Sequence, residues 1–346
     1  MTDRTGTGQS DEGSRAGRAP LLVLDRAQVA SLLDLGEVMH VVEQAHAALS
    51  TGTARQPDRS AMELPGGAGL LVPMVAAVDP LSSAGVKLLT DTPPNADRGL
   101  PVQQSVIMLI DPDTGTCEAV LNGAPITLLR TAAASAVATR HLARQGVGTL
   151  GLIGAGAQAR AHLAALARVM DIDQVLVWSR TRATVEAFAE HARGQGYAVK
   201  VADDPEQVVR AAEVLCTLTP SRMPVVRGEW FGPGLHVNAV GAPPRPDHRE
   251  IDTAGIVRSR VVVDSFSVSS HESGEVLIPM REGAITPEHF RTELGDVITG
   301  RAPGRRSGDD VTLYNSVGVG IQDVVAARLV VDAARRQGIG TEVHLS

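Results

Sequence analysis

A glycine-rich turn, GLIGAGAQA, is the segment of the sequence with the clearest chemistry. It follows an apolar strand and opens a helix, which is the context that a dinucleotide-binding fingerprint requires. Gly154 permits the tight turn, and Gly156 lets the backbone approach a pyrophosphate closely. The backbone N–H groups of Ala157 and Gln158 then face the phosphates at the amino end of the helix. The turn therefore predicts a dinucleotide site.

The end of the next predicted strand bears on which nicotinamide cofactor fits. An acidic side chain there hydrogen-bonds the adenosine 2′-hydroxyl of NAD, whereas Arg accommodates the 2′-phosphate of NADP. The sequence has Ser179, Arg180, Thr181 and Arg182 at this point and no carboxylate. It favours NADP and leaves NAD as the second choice. In the alternative interpretation these residues are solvated and open a helix, with Ser179 or Thr181 as its cap.

The composition excludes several other classes of protein. With 346 residues the chain exceeds the size of about 250 to 300 residues at which one core stops growing, so two domains are expected. A net charge of −7 without a Lys/Arg run disfavours nucleic acids and anionic membranes as partners. Cys117 and Cys216 are far apart, which predicts neither a disulfide framework nor a metal site. Residues 1–19 are predicted to be a disordered tail, and the cytoplasm is the expected compartment.

Two patterns of predicted elements divide the rest of the chain. The first is a strand and two helices, followed by short apolar runs with a hairpin turn at Asp111–Gly115. In the second, strands rich in Val, Ile and Leu alternate with amphipathic helices, which predicts a doubly wound parallel sheet. The expected fold class is α/β, with a Rossmann-type domain over 144–319 and an α+β domain over 20–143 together with 320–346.

Seven short motifs together resemble one known family. They are GVK, GLP, DPDTG, LRTAAASA, GAGAQA, NAVGA and SVGVGIQD. From about Leu21 to the final helix the sequence resembles the ornithine cyclodeaminase/mu-crystallin family. The resemblance implies a homodimer built by a substrate-binding domain, which is the α+β domain, and a nicotinamide-binding domain. It also implies chemistry at the C–N bond of small amino acids: cyclodeamination, dehydrogenation, or reduction of cyclic ketimines.

The resemblance implies that Arg59, Lys87 and Arg130 bind the substrate carboxylate, with Val317 beside them. Paired cations suit an α-carboxylate, and a cation near the C=N bond favours substrates that carry one. Lys87 lies within an apolar strand pattern, where a lysine is costly unless it has a partner. Arg130 lies in the first turns of an apolar helix, where the helix dipole disfavours an unpaired cation. Arg59 lies in a polar stretch and is alternatively a solvated residue.

The same resemblance implies a set of residues around the nucleotide. They are Ala157, Gln158, Ser179 or Arg180, Thr219, Val240, Gly241 and Ser316. Thr219 and Gly241 each follow an apolar run, and the carboxyl ends of parallel strands are where such sheets bind ligands. The alternatives are a plain turn at Thr219 and a strand-end cap at Ser316.

The sequence departs from the cyclodeaminase pattern after NAVGA. The position that carries an acid/base Asp in cyclodeaminases is Pro243, which cannot move protons. Asp247 and His248 are candidate substitutes, although Asp247 is alternatively an N-cap for a helix through Ile251. His271, Glu272 and Asp323 are weaker candidates for the site, since each also suits the start of a helix.

These residues predict an NAD(P)H-dependent enzyme that reduces a small α-imino acid to an L-amino acid, or catalyses the reverse dehydrogenation. Lys87, Arg130 and Asp247 are the predicted catalytic residues. One alternative is an ornithine or lysine cyclodeaminase that uses Asp247. An alternative of another class is a non-catalytic, crystallin-like protein that binds NADPH.

Overall fold

The computed structural model describes residues 20 to 344, in which fifteen strands and eleven α-helices form. The strands are β1 (Leu21–Leu24), β2 (Ala54–Arg55), β3 (Met62–Glu63), β4 (Leu70–Val78), β5 (Ser83–Asp91), β6 (Gln103–Ile110), β7 (Cys117–Asn122), β8 (Thr149–Ile153), β9 (Gln174–Trp178), β10 (Val199–Val201), β11 (Val214–Thr217), β12 (His236–Ala239), β13 (Arg260–Val263), β14 (Thr312–Asn315) and β15 (Thr341–Val343). The helices are α1 (Arg26–Leu32), α2 (Leu35–Thr51), α3 (Ala124–Leu142), α4 (Ala157–Leu166), α5 (Arg182–Gly194), α6 (Pro205–Ala211), α7 (Thr253–Arg258), α8 (Phe266–Glu272), α9 (Gly274–Arg281), α10 (Leu294–Ile298) and α11 (Gly320–Gln337). The strands form two separate sheets, and α3 packs against elements of both.

The first sheet has the order β15-β1-β7-β6-β5-β4-β2, with β3 paired to β4. Strands β4 to β7 are antiparallel neighbours, and their buried and exposed residues alternate. On β5 this period of two buries Lys87 and Leu89 on one face and turns Leu88 to the other. Helix α11 packs against β4, β5 and β6. The strand therefore places a lysine under the last helix of the chain.

The hairpin predicted between β6 and β7 is confirmed. Its turn is closed by the side chain of Asp111, whose Oδ1 accepts hydrogen bonds from the backbone N–H groups of Asp113 and Thr114 at 2.9 Å each. An aspartate that bonds to the backbone two residues further on is a common device of tight turns. The acidic residues of this segment thus have a structural explanation.

The second sheet is parallel and has the order β10-β9-β8-β11-β12-β14-β13. From β8 the sheet continues on one side through β9 to β10. On the other side β11 is followed by β12, β14 and β13, so the topological switch lies between β8 and β11. Ligands of such sheets bind at the carboxyl ends of the strands at this point. The predicted α/β class with a Rossmann-type sheet is confirmed.

The end of the described chain differs from expectation in one strand. Helix α11 packs against β4, β5 and α2, so it returns to the first sheet as predicted. Strand β15 follows it and pairs antiparallel with β1, although the sequence analysis predicted no strand there. Three residues, TEV, are too few to show an alternating pattern. The predicted tail lies outside the described residues, and between residues 20 and 344 no helix has the length and apolarity to cross a membrane.

Candidate active site

The turn between β8 and α4 has the shape that a phosphate group needs. Gly154 has a φ of +107°, and a Cβ atom on it would lie 2.8 Å from the carbonyl oxygen of Leu218. Gly156 is the N-cap residue of α4, and it has no side chain that could bond the free N–H groups of the first turn. A Cβ atom on Gly156 would meet no described atom within 4 Å. This open space at the positive end of a helix dipole suits a pyrophosphate.

Gln158, in the first turn of α4, adds an unpaired polar atom. Its side-chain Oε1 is buried and has no hydrogen-bond partner among residues 20 to 344. The ring of His162 joins α4 to α3, since its Nδ1 lies 2.8 Å from the Gln158 carbonyl oxygen and its Nε2 lies 2.9 Å from Ser135 Oγ. Buried polar atoms in folded proteins nearly always have a partner, so Oε1 is available to a ligand donor. The turn and Gln158 together fit a dinucleotide.

A cavity of about 610 Å³ opens at the carboxyl edge of the second sheet, where this sheet meets the first. The predicted residues that line it are Arg130, Gln158, Val240, Gly241, Ser316 and Val317. Thr219 lies between two lining residues, Leu218 and Pro220. Pro243 also lines the cavity, so the position of the cyclodeaminase Asp faces the site but carries no proton-transfer group.

A buried ion cluster underlies this cavity. Lys87 Nζ lies 2.9 Å from Asp323 Oδ2 and 3.3 Å from Oγ1 of Thr127, which lines the cavity. Arg130 Nε lies 3.1 Å from the other oxygen of Asp323, and its Nη1 donates to Gln322 Oε1 at 2.7 Å. One carboxylate on α11 thus joins two cations from β5 and α3. Asp323, a weak candidate from sequence, is the partner that Lys87 and Arg130 require.

Opposing effects act on the pKa of the Lys87 side chain. Burial lowers its pKa to about 8, and the positive charge of Arg130 acts in the same direction. The negative charge of Asp323 and its hydrogen bond oppose this shift. Lys87 therefore gains or loses its proton near pH 8, at a lower pH than an exposed lysine.

Arg59 lies beside the cluster but faces a second cavity of about 360 Å³. Its side chain is 5% exposed, its Nη2 donates to the Gly318 carbonyl oxygen at 2.7 Å, and its Nε lies 3.4 Å from Glu272 Oε1. The solvated alternative for Arg59 is therefore wrong. His271 and Glu272 line the second cavity as well. The residues shared by both cavities are Asp91, Gln103, Pro244 and Arg245.

The residues predicted to select the cofactor lie at the carboxyl end of β9, next to β8. Arg180 is exposed, and Arg182 is 77% exposed and pairs with Glu186 at 2.5 Å. Thr181 is the N-cap residue of α5, although its hydroxyl makes no capping bond. Ser179 is partly buried, and neither it nor the arginines belongs to the lining of the cavity.

The structure does not bring Asp247 into the cavity. Its side chain is 48% exposed and pairs with Arg222 and His248 at 2.8 Å each. The hydrogen bond from His248 lowers the pKa of Asp247, which makes this carboxyl a poor proton donor. The alternative role as an N-cap is wrong, because the next helix begins at Thr253 and is capped by Asp252. His248 does line the cavity.

Two further acidic residues of the site were missed by the sequence analysis. Asp91, at the end of β5, contacts Arg245, and both residues line the two cavities. Asp264 follows β13, and its Oδ2 accepts hydrogen bonds from the backbone N–H groups of Val317 at 2.9 Å and Gly318 at 2.7 Å. Burial raises the pKa of Asp264 to about 6. An acidic residue directly after the apolar run RVVV was the signal for Asp264.

A Rossmann-type sheet with a phosphate-binding turn, next to a cavity that a buried cationic cluster underlies, defines a nicotinamide-dependent oxidoreductase. The model of the ornithine cyclodeaminase/mu-crystallin family matches residues 21–338. The chain belongs to this family, and it is an NAD(P)-dependent oxidoreductase that acts on carbon–nitrogen bonds.

One curated relative and two solved structures resemble the chain over nearly its whole length. An alanine dehydrogenase of Archaeoglobus fulgidus is 34% identical over 322 residues, which is 93% of this chain and 98% of that protein. The structure of Thermococcus litoralis Delta(1)-pyrroline-2-carboxylate reductase in complex with NADH and L-proline has a TM-score of 0.89 and 35% identity, covering 93% of this chain and 100% of that one. An archaeal alanine dehydrogenase dimer with bound NAD has a TM-score of 0.90 and 33% identity, covering 94% and 99%. The predicted family is confirmed.

Proposed function

We propose that this protein reduces a small α-imino acid to an L-amino acid with NAD(P)H, or runs the reverse dehydrogenation. The observation that carries this proposal is the Lys87–Asp323–Arg130 cluster under the cavity that also contains Gln158 and Gly241. Cations that could bind a carboxylate beside a site that fits the cofactor support this proposal. The Thermococcus litoralis relative, whose structure holds NADH and L-proline, has the same fold and supports this class of substrate.

The charges of the cluster explain how a carboxylate is bound. Asp323 carries one negative charge and contacts two cations, so Lys87 and Arg130 keep a net positive charge between them. Arg59 adds a third cation nearby, but Glu272 and Asp264 balance it, so the surplus lies at Lys87 and Arg130 themselves. In a closed, weakly polar site this surplus attracts an anion strongly. The substrate carboxylate is therefore bound at Arg130 and Lys87, with Arg59 and Val317 at its side.

The reaction itself divides between cofactor and protein. The reduced nicotinamide, when bound, supplies the hydride. Gly154, Gly156, Ala157 and Gln158, at the turn before α4 and in its first residues, would hold its pyrophosphate end. Lys87 holds a proton at Nζ and polarises the imine, which makes the carbon a better hydride acceptor. Alignment of the two reactants accounts for much of the remaining rate.

The cofactor is NADP rather than NAD in this proposal. The end of β9 carries no acidic side chain for the 2′-hydroxyl, and Arg180 is exposed beside it. The expected result is a higher kcat/KM with NADPH than with NADH in the wild type. Arg180→Ala should reduce this ratio by about 10-fold, since it removes one charged contact to a phosphate. Equal use of both cofactors by the wild type would overturn the NADP assignment alone.

The enzyme acts as a homodimer in this proposal. Three apolar residues of the outer face of the first sheet are exposed, namely Val75, Leu88 and Val106. Strands β4, β5 and β6 are neighbours, so these residues form one apolar patch. The archaeal alanine dehydrogenase of the same fold is a dimer. A second copy of the chain is the partner that covers this face.

Oxidation of NADPH and NADH against a panel of imino acids tests the function. The panel contains pyrroline-2-carboxylate, piperideine-2-carboxylate, and pyruvate or glyoxylate with ammonia or methylamine. Cofactor oxidation with at least one imine is the expected result, together with no release of ammonia from ornithine or lysine. Ammonia release without net cofactor change would mean that the protein is a cyclodeaminase. Binding of NADPH without turnover of any member of the panel would favour a non-catalytic protein.

A further inference from the structure

Glu250 lies in a position that the sequence analysis did not consider. Its side chain is fully buried and accepts four hydrogen bonds from two loops. Oε1 accepts from the backbone N–H of Thr219 at 2.6 Å and from its hydroxyl at 2.7 Å. Oε2 accepts from the Thr217 hydroxyl at 2.7 Å and from the backbone N–H of Gly241 at 2.8 Å. Every acceptor position of this carboxylate is thus directed at the same pair of loops.

These donors come from the ligand-binding edge of the second sheet. Thr217 ends β11, Thr219 follows it, and Gly241 follows the neighbouring strand β12. Gly241 lines the cavity directly, as does Leu218 beside Thr219. The two loops touch, because a Cβ atom on Gly241 would lie 2.1 Å from the Thr219 nitrogen. Both backbone N–H groups therefore bond to one buried carboxylate, which does not line the cavity.

The position of Glu250 is itself held by a second buried carboxyl group. Glu275, on α9, accepts hydrogen bonds from the backbone N–H of Glu250 at 2.6 Å and from that of Ile251 at 3.3 Å. Burial raises the pKa of both glutamates, and four hydrogen bonds from the loops oppose this shift at Glu250. Burying acidic groups costs free energy, so a pair of them behind two loops requires an explanation beyond packing.

We infer that Glu250 is a positioning residue, which holds the loops after β11 and β12 in the arrangement that binds the nicotinamide cofactor. It acts through Thr219 and Gly241 and touches no reacting atom. The inference rests on the cofactor use proposed above. Without the carboxylate, two backbone N–H groups at the cavity edge lose their acceptor, and the loops no longer share a fixed spacing.

Glu250→Gln tests this role, because it preserves shape while it replaces one acceptor oxygen by a donor NH2 group. We expect the dissociation constant of NADPH, measured by its fluorescence without any imino acid, to rise about 10-fold or more. At saturating cofactor the KM for the imine should change about twofold at most. Glu250→Asp keeps the charge and should recover part of the affinity.

A matched control exists at the opposite edge of the same sheet. Glu213 also accepts hydrogen bonds from two backbone N–H groups, those of Gly148 at 2.9 Å and Thr149 at 3.1 Å. Glu213→Gln should lower the melting temperature and leave the dissociation constant of NADPH unchanged. An equal loss of affinity in both variants would show that Glu250 acts only through general stability and would overturn the inference.

Thr219→Val keeps the test decisive if Glu250→Gln does not fold. This substitution removes one donor to Glu250, and it should weaken NADPH binding in the same direction as Glu250→Gln. Where Glu250→Gln does fold, the double variant should bind NADPH no more weakly than Glu250→Gln alone, because the bond from the Thr219 hydroxyl is one of those that Glu250→Gln already disrupts. Unchanged NADPH affinity in Glu250→Gln, or in Thr219→Val where that variant alone folds, would overturn the inference. A wild type that binds NADPH but reduces no imine would contradict the proposed function and leave this inference standing.

Discussion

Lys87 is the residue at which burial and charge bear most directly on the chemistry. Its pKa is about 8, so Nζ is mostly protonated below this pH and loses its charge above it. The cation binds the carboxylate and polarises the imine, so we expect kcat/KM for imine reduction to fall as the pH rises through about 8. Lys87→Met should lower kcat/KM about 100-fold or more near neutral pH. Lys87→Arg keeps its charge and should move the decline to higher pH.

A wild-type profile that stays level across this pH range would contradict the role of Lys87. Thermal unfolding of both variants provides the control, because an unfolded Lys87→Met protein would lose activity for an unrelated reason. Asp323 retains its second partner, Arg130, in either variant.

Asp323 should be as important for stability as for activity. Asp323→Asn leaves Lys87 and Arg130 buried without a counter-ion, and breaking such a pair costs about 3–5 kcal/mol. The same change removes the negative charge that raises the pKa of Lys87, so the alkaline decline in kcat/KM should move to lower pH. Denaturant unfolding and the pH profile measure the two effects. On the same helix, Asp332 is 43% exposed and pairs with Arg328 at 3.4 Å, so Asp332→Asn should cost less than about 1 kcal/mol.

The sequence identified the two cations of this cluster but not the carboxylate that joins them. Lys87 in an apolar strand and Arg130 in an apolar helix were recognisable because a buried cation needs a partner. Their partner Asp323 lies 193 positions beyond Arg130, and nothing local in GIQDVV distinguishes a buried counter-ion from a helix-start residue. Asp247 was wrongly predicted to be in the site, because the exposure of its side chain is visible only in the folded chain.

Among the elements, the turn from β8 to α4 contains two glycines whose substitution should affect stability and cofactor binding differently. A Cβ atom on Gly156 would enter open space, whereas one on Gly154 would approach the Leu218 carbonyl oxygen at 2.8 Å in a backbone with a φ of +107°. Gly156→Val should therefore leave the melting temperature within a few degrees of wild type and raise the dissociation constant of NADPH at least 10-fold, because it fills the pyrophosphate space. Gly154→Ala should weaken both stability and binding.

Calorimetry and cofactor titration of these two variants measure the difference. If Gly156→Val bound NADPH as tightly as the wild type, the space beside Gly156 would not be the pyrophosphate site. If Gly154→Ala were fully stable, the strained turn would not depend on glycine there.

Elements with a strong period were predictable, and irregular segments were not. The apolar runs of β8, β9, β11 and β12 indicated a parallel sheet because each is buried on both faces. The loop after β12 contains PPRPD, whose residues follow no period, so neither the contact of Arg245 with Asp91 nor the four bonds of Glu250 could be inferred from sequence. These contacts depend on how the two sheets meet.

At the scale of the whole molecule, the site exists only between the two sheets. The first sheet and its helices supply Lys87, Arg130 and Asp323, while the second supplies the phosphate turn and Gly241. Neither half contains both the cations and the cofactor site. Any assembly that fixes the first sheet therefore stabilises one wall of the cavity.

The outer face of the first sheet provides the test of that assembly. Val106 is 45% exposed on β6, opposite Leu88 of β5, in the apolar patch that we assign to the dimer interface. Val106→Asp places a charge where a second copy would exclude water, so we expect monomers in sedimentation experiments at concentrations at which the wild type is a dimer. Val257 on α7 is also 45% exposed but lies outside this patch, and Val257→Asp should remain a dimer. A dimeric Val106→Asp protein would place the interface elsewhere. A monomeric wild type would contradict the proposed homodimer.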